Sequence, residues 1–257
     1  MQFDNAISRQ LNALYTSSIP TARRRKTLAL LSLRPGEAVL DIGTGPGYLA
    51  AEMAAQVGPS GRVVGIDKSP DMLALASERC AELPQVSFHE ADAVQLPAPA
   101  SAFDAAVAIQ VYEFVNDMDA ALQELHRVLR PGGRAVIVDI DWESLVWEAG
   151  DRARAARVFH AWDEHLADPY LPRRLGSLLG QAGFELLSVD TYAPVVVRAD
   201  SFVAGMAKFV AGFVAGRGGV TAEDAAAWLD DLAAMDAGKR YFFSLTAFVF
   251  LAARRSK

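Results

Sequence analysis

From residue 38 onward, short apolar runs alternate with helix-length segments whose apolar residues recur every third or fourth position. The runs are AVLDIG (38–43), RVVGID (62–67), VSFHEAD (86–92), FDAAVAIQV (103–111) and GRAVIVDID (133–141). They are rich in Val and Ile and apolar on both faces, which predicts strands covered by helices on both sides. Helical periodicity falls at 47–57, 70–83 and 117–130. Ser69-Pro70-Asp71 supplies a cap and a first-turn proline for the second of these, and Asn116-Asp117 a cap for the third. Arg130-Pro131-Gly132-Gly133 predicts the end of that helix and a turn into the fifth strand. Strands linked by crossover helices make a parallel α/β sheet.

The pattern continues less regularly. Helices are predicted at 146–167 and 172–182, with Gly183 ending the latter, and FELLSVDTYA (184–193) reads as a sixth strand. Residues 199–237 read as two helices separated by Gly216-Arg217-Gly218-Gly219, a flexible hinge suited to a lid, and restarted at Thr221-Ala-Glu223-Asp224. FFSLTAFVFLAAR (242–254) reads as a seventh strand. With no repeat or linker in view, 1–257 is expected to be one domain. Its core spans about 35–198 and 242–254, and the helical additions are 1–34 and 199–241.

Composition narrows the function classes. The 257 residues carry 25 basic and 31 acidic side chains, a net charge of −6, and 52% are hydrophobic. An acidic chain has no general attraction for nucleic acid or anionic lipid, and Arg23-Arg24-Arg25-Lys26 is the one basic run. The lone Cys80 excludes an internal disulfide framework and points to a reducing compartment. The opening MQFDNAISRQLNALY carries acid and amide groups where a secretory signal places apolar residues. The longest apolar stretch, 202–216, is interrupted by Lys208 and shorter than a membrane span. The expectation is a cytoplasmic protein that engages neither membrane nor nucleic acid.

The segment Val39-Leu40-Asp41-Ile42-Gly43-Thr44-Gly45-Pro46-Gly47-Tyr48 puts three glycines at a strand-to-helix turn directly after an acid. Bare backbone lets a ligand approach closely, and the helix N-terminus offers unpaired N–H groups. Asp67 ends the second strand, where a carboxylate suits the two hydroxyls of a ribose. Asp92 ends the third, next to Ala93, where it can accept from an exocyclic amine. Dinucleotide-binding turns use G-x-G-x-x-G around a pyrophosphate. Here the spacing is G-x-G-x-G with Asp41 in front, and a carboxylate there favours a cationic ligand end.

These residues resemble the class I S-adenosylmethionine-dependent methyltransferases, in particular the ubiquinone/menaquinone-type domain. The resemblance runs over 35–142, through VLDIGTGPGYLA, VVGIDKSPDML, EADAVQLP, FDAAVAIQV and LQELHRVLRPGGRAVIVD. It implies a Rossmann-like seven-stranded sheet of order 3-2-1-4-5-7-6 with the seventh strand antiparallel, helices on both faces and a helical cap. It implies S-adenosyl-L-methionine as cofactor, held at its methionine end by Asp41, Gly43, Gly45 and Gly47. Asp67 would take the ribose, with Lys68 and Met72 beside the adenosine. Asp92 and Ala93 would take the adenine, Gln110 would line the sulfonium, and Tyr15 stands where related enzymes bring a tyrosine to the cofactor.

Methyl transfer from a sulfonium is mainly a matter of positioning, so catalytic residues are few. Acceptor contacts are expected after strands four and five, at Tyr112, Glu113, Asp139, Asp141 and Trp142. Asp139 and Asp141 share a strand face, but no third ligand stands near and no metal is expected. A hydroxyl acceptor needs a base, for which His160 and His165 in HAWDEHLADPY are the candidates, with Asp163 one turn from His160. The alternative for these histidines is a solvated helix face. The aromatics Phe202, Phe209, Phe213, Tyr241 and Phe242 are expected to roof a pocket or to pack on the sheet or a second subunit. The reading is methyl transfer to a small organic acceptor by a monomer or homodimer. A nicotinamide-dependent oxidoreductase and a non-catalytic cofactor-binding protein are the alternatives.

Overall fold

The computed structural model describes residues 14–256. Most of the N-terminal signal expectation and the start of the first helical addition fall on residues 1–13, outside the described residues. The described chain opens with α1 (Ser18–Leu31), β1 (Ala38–Ile42), α2 (Tyr48–Val57), β2 (Arg62–Asp67), α3 (Pro70–Arg79) and β3 (Val86–Glu90). There follow β4 (Phe103–Ile109), α4 (Met118–Val128), β5 (Leu129–Ile140), β6 (Val146–Trp147), α5 (Arg152–Asp163), α6 (Pro172–Gln181) and β7 (Phe184–Tyr192). The chain closes with β8 (Val195–Val196), α7 (Ser201–Val214), α8 (Ala222–Ala237), β9 (Phe243–Ser244) and β10 (Ala247–Arg254).

Seven strands form one sheet in the order β3-β2-β1-β4-β5-β10-β7. The first five pair in parallel, and β10 runs antiparallel between β5 and β7. With β7 as sixth strand and β10 as seventh, this is the implied 3-2-1-4-5-7-6 order with an antiparallel last strand. The continuous apolar runs have the anticipated cause. Val39, Val63, Val107, Val136 and Val138 join one buried cluster, while Leu40, Ile42, Val64, Ile66 and Ile137 join another. Successive strand residues point to opposite faces, so both faces are packed. On one side α4 contributes Met118, Ala121, Leu122, Leu125 and Val128, a three-and-four spacing.

The caps form as the sequence implies. The Ser69 hydroxyl accepts from Met72 N at 3.3 Å, Asp117 accepts from Ala120 N at 2.9 Å, and Thr221 with Asp224 forms a full capping box. Cys80 is buried.

Several boundaries differ: the helix expected at 70–83 ends at Arg79, and the strand expected at 86–92 ends at Glu90, so that Asp92 lies just beyond it. The helix expected at 146–167 begins only at Arg152, because Asp151 caps it through Arg154 N at 2.9 Å. Val146–Trp147 instead pairs with β9 in a small antiparallel sheet of order β6-β9-β8. The strand expected at 242–254 splits, since Thr246 turns aside to donate its N–H to Ser144 Oγ at 3.0 Å. Strand five starts at Leu129 rather than at Gly133, with a register shift opposite Phe103 that absorbs Pro131 and Gly132. The glycine-rich 216–219 segment is a closed turn rather than a hinge: Gly216 N donates to Val220 O at 2.8 Å and Val220 N to Arg217 O at 2.8 Å.

Among the described residues no helix is long and apolar enough to cross a membrane.

Candidate functional site

The parallel strands β1, β2 and β3 end side by side, and the loop 43–47 leaves β1 there to enter α2. The loop closes tightly enough to require glycine at two positions for steric reasons as well as positive φ. A Cβ on Gly43 (φ +66) would stand 2.3 Å from Val111 Cγ2, and one on Gly47 (φ +78) would stand 2.9 Å from Ala76. Gly45 is different: its Cβ direction is open apart from the Tyr15 hydroxyl at 3.5 Å. Two glycines let the turn pack and the third leaves a bare cradle.

Carboxylates surround that cradle. Asp41 is buried, accepts from Thr44 Oγ1 at 2.7 Å, and is pushed up to about 7 by burial, against the pull of that hydrogen bond. Asp67 accepts from Gly45 N at 2.8 Å and from Ser69 N at 2.9 Å, and burial raises it too. Asp92 pairs with Lys68 at 2.8 Å, beside the buried Ala93. Met72 is buried on α3. Tyr15 stacks on Tyr48 with centroids 6.2 Å apart. The Arg79 guanidinium lies 3.4 Å from the Tyr48 centroid and donates to Pro46 O at 2.8 Å. Arg24 donates to Tyr15 O at 2.7 Å and to Glu52 at 3.1 Å, which fixes the start of α1 over the loop.

A cavity of about 50 Å3 follows the loop, bordered by Asp41, Gly43, Thr44, Pro46 and Tyr48. A larger one of about 210 Å3 lies beyond it, lined by aromatic and aliphatic side chains including Phe114, Trp142, Trp162, Phe202, Met206 and Phe209. Tyr15, Pro20, Arg23 and Gln110 border both. Gln110 has φ +54 and donates its N–H to Val138 O at 2.6 Å, so a non-glycine residue holds a left-handed conformation where the two spaces meet. Such strain costs about 1–3 kcal/mol and persists only where its surroundings over-determine it.

The acceptor candidates separate clearly. His165 lines the larger cavity, bonds through Nδ1 to Trp162 O, and packs on the Trp162 ring with centroids 3.8 Å apart. Burial lowers it to about 4, so it is a neutral imidazole near pH 7. His160 is exposed and lines neither cavity. Tyr112 is fully buried in the cluster on the opposite sheet face, because the short turn after β4 turns it inward. Asp141 accepts from Arg173 at 2.8 and 2.9 Å and from Glu143 N at 3.2 Å, which commits it to structure. Asp139 and Asp141 therefore serve separate partners, and no metal-binding cluster occurs among the described residues. Of the aromatics, Phe202 and Phe209 line the cavity, Phe213 packs behind on Trp162 at 5.4 Å, Tyr241 accepts from Trp147 Nε1 at 2.9 Å, and Phe242 is exposed.

Sequence reasoning missed Arg23, treating it only as part of a basic run. It is buried, borders both cavities, and its Nε has no hydrogen-bond partner. The available signal was the four-residue spacing Ile19, Arg23, Thr27, Leu31, all buried on one face of α1. Glu113 is fully buried beside it: Oε2 accepts from Ile140 N at 3.1 Å and Trp142 Nε1 at 3.3 Å, while Oε1 has no partner. Asp139 lies behind, accepting at Oδ1 from Val111 N at 3.2 Å and Glu113 N at 3.4 Å, with Oδ2 unpartnered. Burial raises both carboxyls, and Glu113 raises Asp139 further.

This sheet order, with a cradle of bare backbone among strand-tip acids, defines a Rossmann-like protein built for an adenosyl ligand with a cationic end. Residues 39–133 match the family described as "Methyltransferase domain". Demethylmenaquinone methyltransferase of Symbiobacterium thermophilum is 30% identical over 200 residues, covering 66% of this chain and 78% of that protein. A Streptomyces fradiae protein, described as an uncharacterized 37.1 kDa protein in transposon TN4556, is 34% identical over 259 residues, 97% of this chain and 73% of that one. The chain spans about half the length of other quinone methyltransferases it matches. The YcgJ protein of Bacillus subtilis shares the fold, with a TM-score of 0.65 at 19% identity over 92% of this chain and 100% of that chain. The chain belongs to the class I S-adenosylmethionine-dependent methyltransferases. It is an enzyme with S-adenosylmethionine as its cofactor, which decides against the nicotinamide alternative.

Proposed function

We propose that this enzyme methylates a small, largely apolar acceptor carrying an aromatic or quinone-type ring. The single observation that carries the reading is the larger cavity: aromatic-walled, and joined to the loop cavity at Gln110 and Tyr15. Flat rings bury well against Trp142, Trp162 and Phe114, and a few polar groups then fix their orientation. The activities for which the quinone methyltransferase relatives are named support the same acceptor class.

The bound cofactor supplies an activated methyl group; the chain supplies its place. Asp41 with Gly43, Gly45 and Gly47 would hold the methionine end, where the carboxyl meets an ammonium. Asp67, Lys68 and Met72 would hold the ribose side, Asp92 and Ala93 the adenine, and Gln110 and Tyr15 the wall between donor and acceptor. His165, the one histidine on the cavity, would orient the acceptor as a neutral hydrogen-bonding group, while His160, Tyr112 and Asp141 have no part. The apolar walls exclude water from the transfer. The lone buried cysteine and the net charge of −6 support a cytoplasmic enzyme that works on small molecules rather than nucleic acid. One chain borders both cavities, which supports a functional monomer, with a homodimer as the alternative.

The test is transfer of labelled methyl to a panel of naphthoquinols, phenols, aliphatic amines and thiols. Transfer confined to the ring compounds is expected; transfer to aliphatic amines with none to rings would overturn the assignment.

A further inference from the structure

Two buried polar groups face the larger cavity with unfinished hydrogen bonding. Arg24 spends its donors on Glu52, Tyr15 O and Thr21, whereas its neighbour Arg23, 8% exposed, leaves Nε without a partner. Glu113, 0% exposed, leaves Oε1 without one. A buried charge costs several kcal/mol unless it is paired and hydrogen-bonded, so a fold that keeps two such groups on one cavity wall leaves them for a ligand.

We propose that Arg23 and Glu113 form an acceptor-ionising site for a ring hydroxyl: Glu113 Oε1 takes the hydroxyl proton and the Arg23 guanidinium binds the oxyanion that remains. The step breaks the acceptor O–H bond and forms an O–H bond on Glu113. The electron pair stays on the ring oxygen, and nothing is oxidised or reduced. The inference rests on the reading that the larger cavity holds the acceptor.

Charge conservation favours this arrangement. Asp139 stands behind Glu113, and two neighbouring buried carboxyls do not both ionise, so the pair carries at most one negative charge opposite one guanidinium, and the acting base is the state with that charge on Glu113. After proton transfer, Glu113 is neutral and the oxyanion takes its place opposite Arg23. The buried cluster keeps the same net charge before and after, which avoids a further desolvation cost. The other groups facing it do not compete for the proton. Tyr15 and Tyr192 flank Arg23 as neutral phenols raised by burial, and Arg24 is already bonded. His165 on the same cavity is the weaker base, since burial disfavours its protonation while burial favours that of Glu113.

The probe is 2-naphthol, which is un-ionised in neutral water and whose anion absorbs and fluoresces at longer wavelength. It is titrated into the cofactor-free protein, so the result does not depend on methyl transfer. The wild type is expected to bind it as the anion. Arg23→Met is expected to lower the bound anion fraction at neutral pH about tenfold or more, one pKa unit being a factor of ten, and Arg23→Lys should fall between. Glu113→Gln, which mimics the protonated carboxyl, should still bind the anion but release about one proton to the buffer per naphthol bound, whereas the wild type keeps that proton on Glu113 and releases almost none; calorimetry in two buffers of different ionisation heat reads the difference. 2-Methylnaphthalene, which has no hydroxyl, should bind all of them equally, showing that the cavity has kept its shape. Bound neutral naphthol in the wild type, no binding up to its solubility, or proton release by the wild type equal to that of Glu113→Gln would overturn the proposal. Anion binding without methyl transfer to any ring acceptor would uphold the ionising site and remove the acceptor class; transfer to ring acceptors with neutral bound naphthol would do the reverse.

Discussion

At the scale of single residues, Asp41 gives the clearest consequence. Burial holds its folded carboxyl at about 7, whereas an unfolded Asp titrates near 4. Across that window the folded state keeps a proton the unfolded chain has released. Asp41 therefore contributes stability at low pH that is lost as pH rises from about 4 to 7. His165 runs the other way, its folded value of about 4 lying below the unfolded one, so its contribution is lost as pH falls from about 6.5 to 4. A difference between wild type and Asp41→Asn cancels the histidine. In cofactor-free protein the variant should gain relative stability across the window, up to roughly 4 kcal/mol at pH 8, while binding S-adenosylmethionine less tightly. Denaturant midpoints at pH 4 and pH 8 check this, and a difference that does not change with pH would contradict it. Gly47→Ala is expected to cost about 1–3 kcal/mol in thermal unfolding, since its Cβ meets the Ala76 backbone at 2.9 Å as well as a positive φ. The loop and its acids were legible in the sequence because backbone chemistry dictates both. Arg23 was not, because two of three consecutive arginines are buried, and which of them borders the cavity with an unpartnered nitrogen depends on how α1 docks, not on composition.

At the scale of elements, legibility followed length. Strands of five residues or more and capped helices announce themselves by periodicity. The two-residue strands β6, β8 and β9 have none, and their pairing depends on chain segments about fifty residues apart or more. Caps act locally, so their removal should act locally too. Thr221→Ala removes the half of the α8 capping box in which the Thr221 hydroxyl accepts from Asp224 N, and is expected to cost about 1 kcal/mol, read as a lower unfolding midpoint. Cofactor affinity should be unchanged, because Thr221 borders neither cavity. A loss of affinity in that variant would mean that α8 supports the site more directly than its position suggests.

At the scale of the whole molecule, the cavity proposed for the acceptor is assembled from α1, the ends of β4 and β5, α5 and the segment after it, and α7. No sequence window contains it, which is why the cofactor half of the site could be read from a motif and the acceptor half could not. Trp162 reaches into it from α5 and packs on Trp142 and His165. Trp162→Ala should raise the KM for ring acceptors about tenfold or more while leaving cofactor affinity intact. Steady-state kinetics with calorimetry separates the two effects.

The central claim is that bare backbone and strand-tip carboxylates hold S-adenosylmethionine. Calorimetric titration of wild type and Asp67→Ala with S-adenosylmethionine and with NADH tests it most directly. One-to-one binding of S-adenosylmethionine alone is expected, weakened about a hundredfold in the variant by the loss of two charge-assisted hydrogen bonds. Equal affinity in the variant, or binding of NADH in place of S-adenosylmethionine, would contradict it.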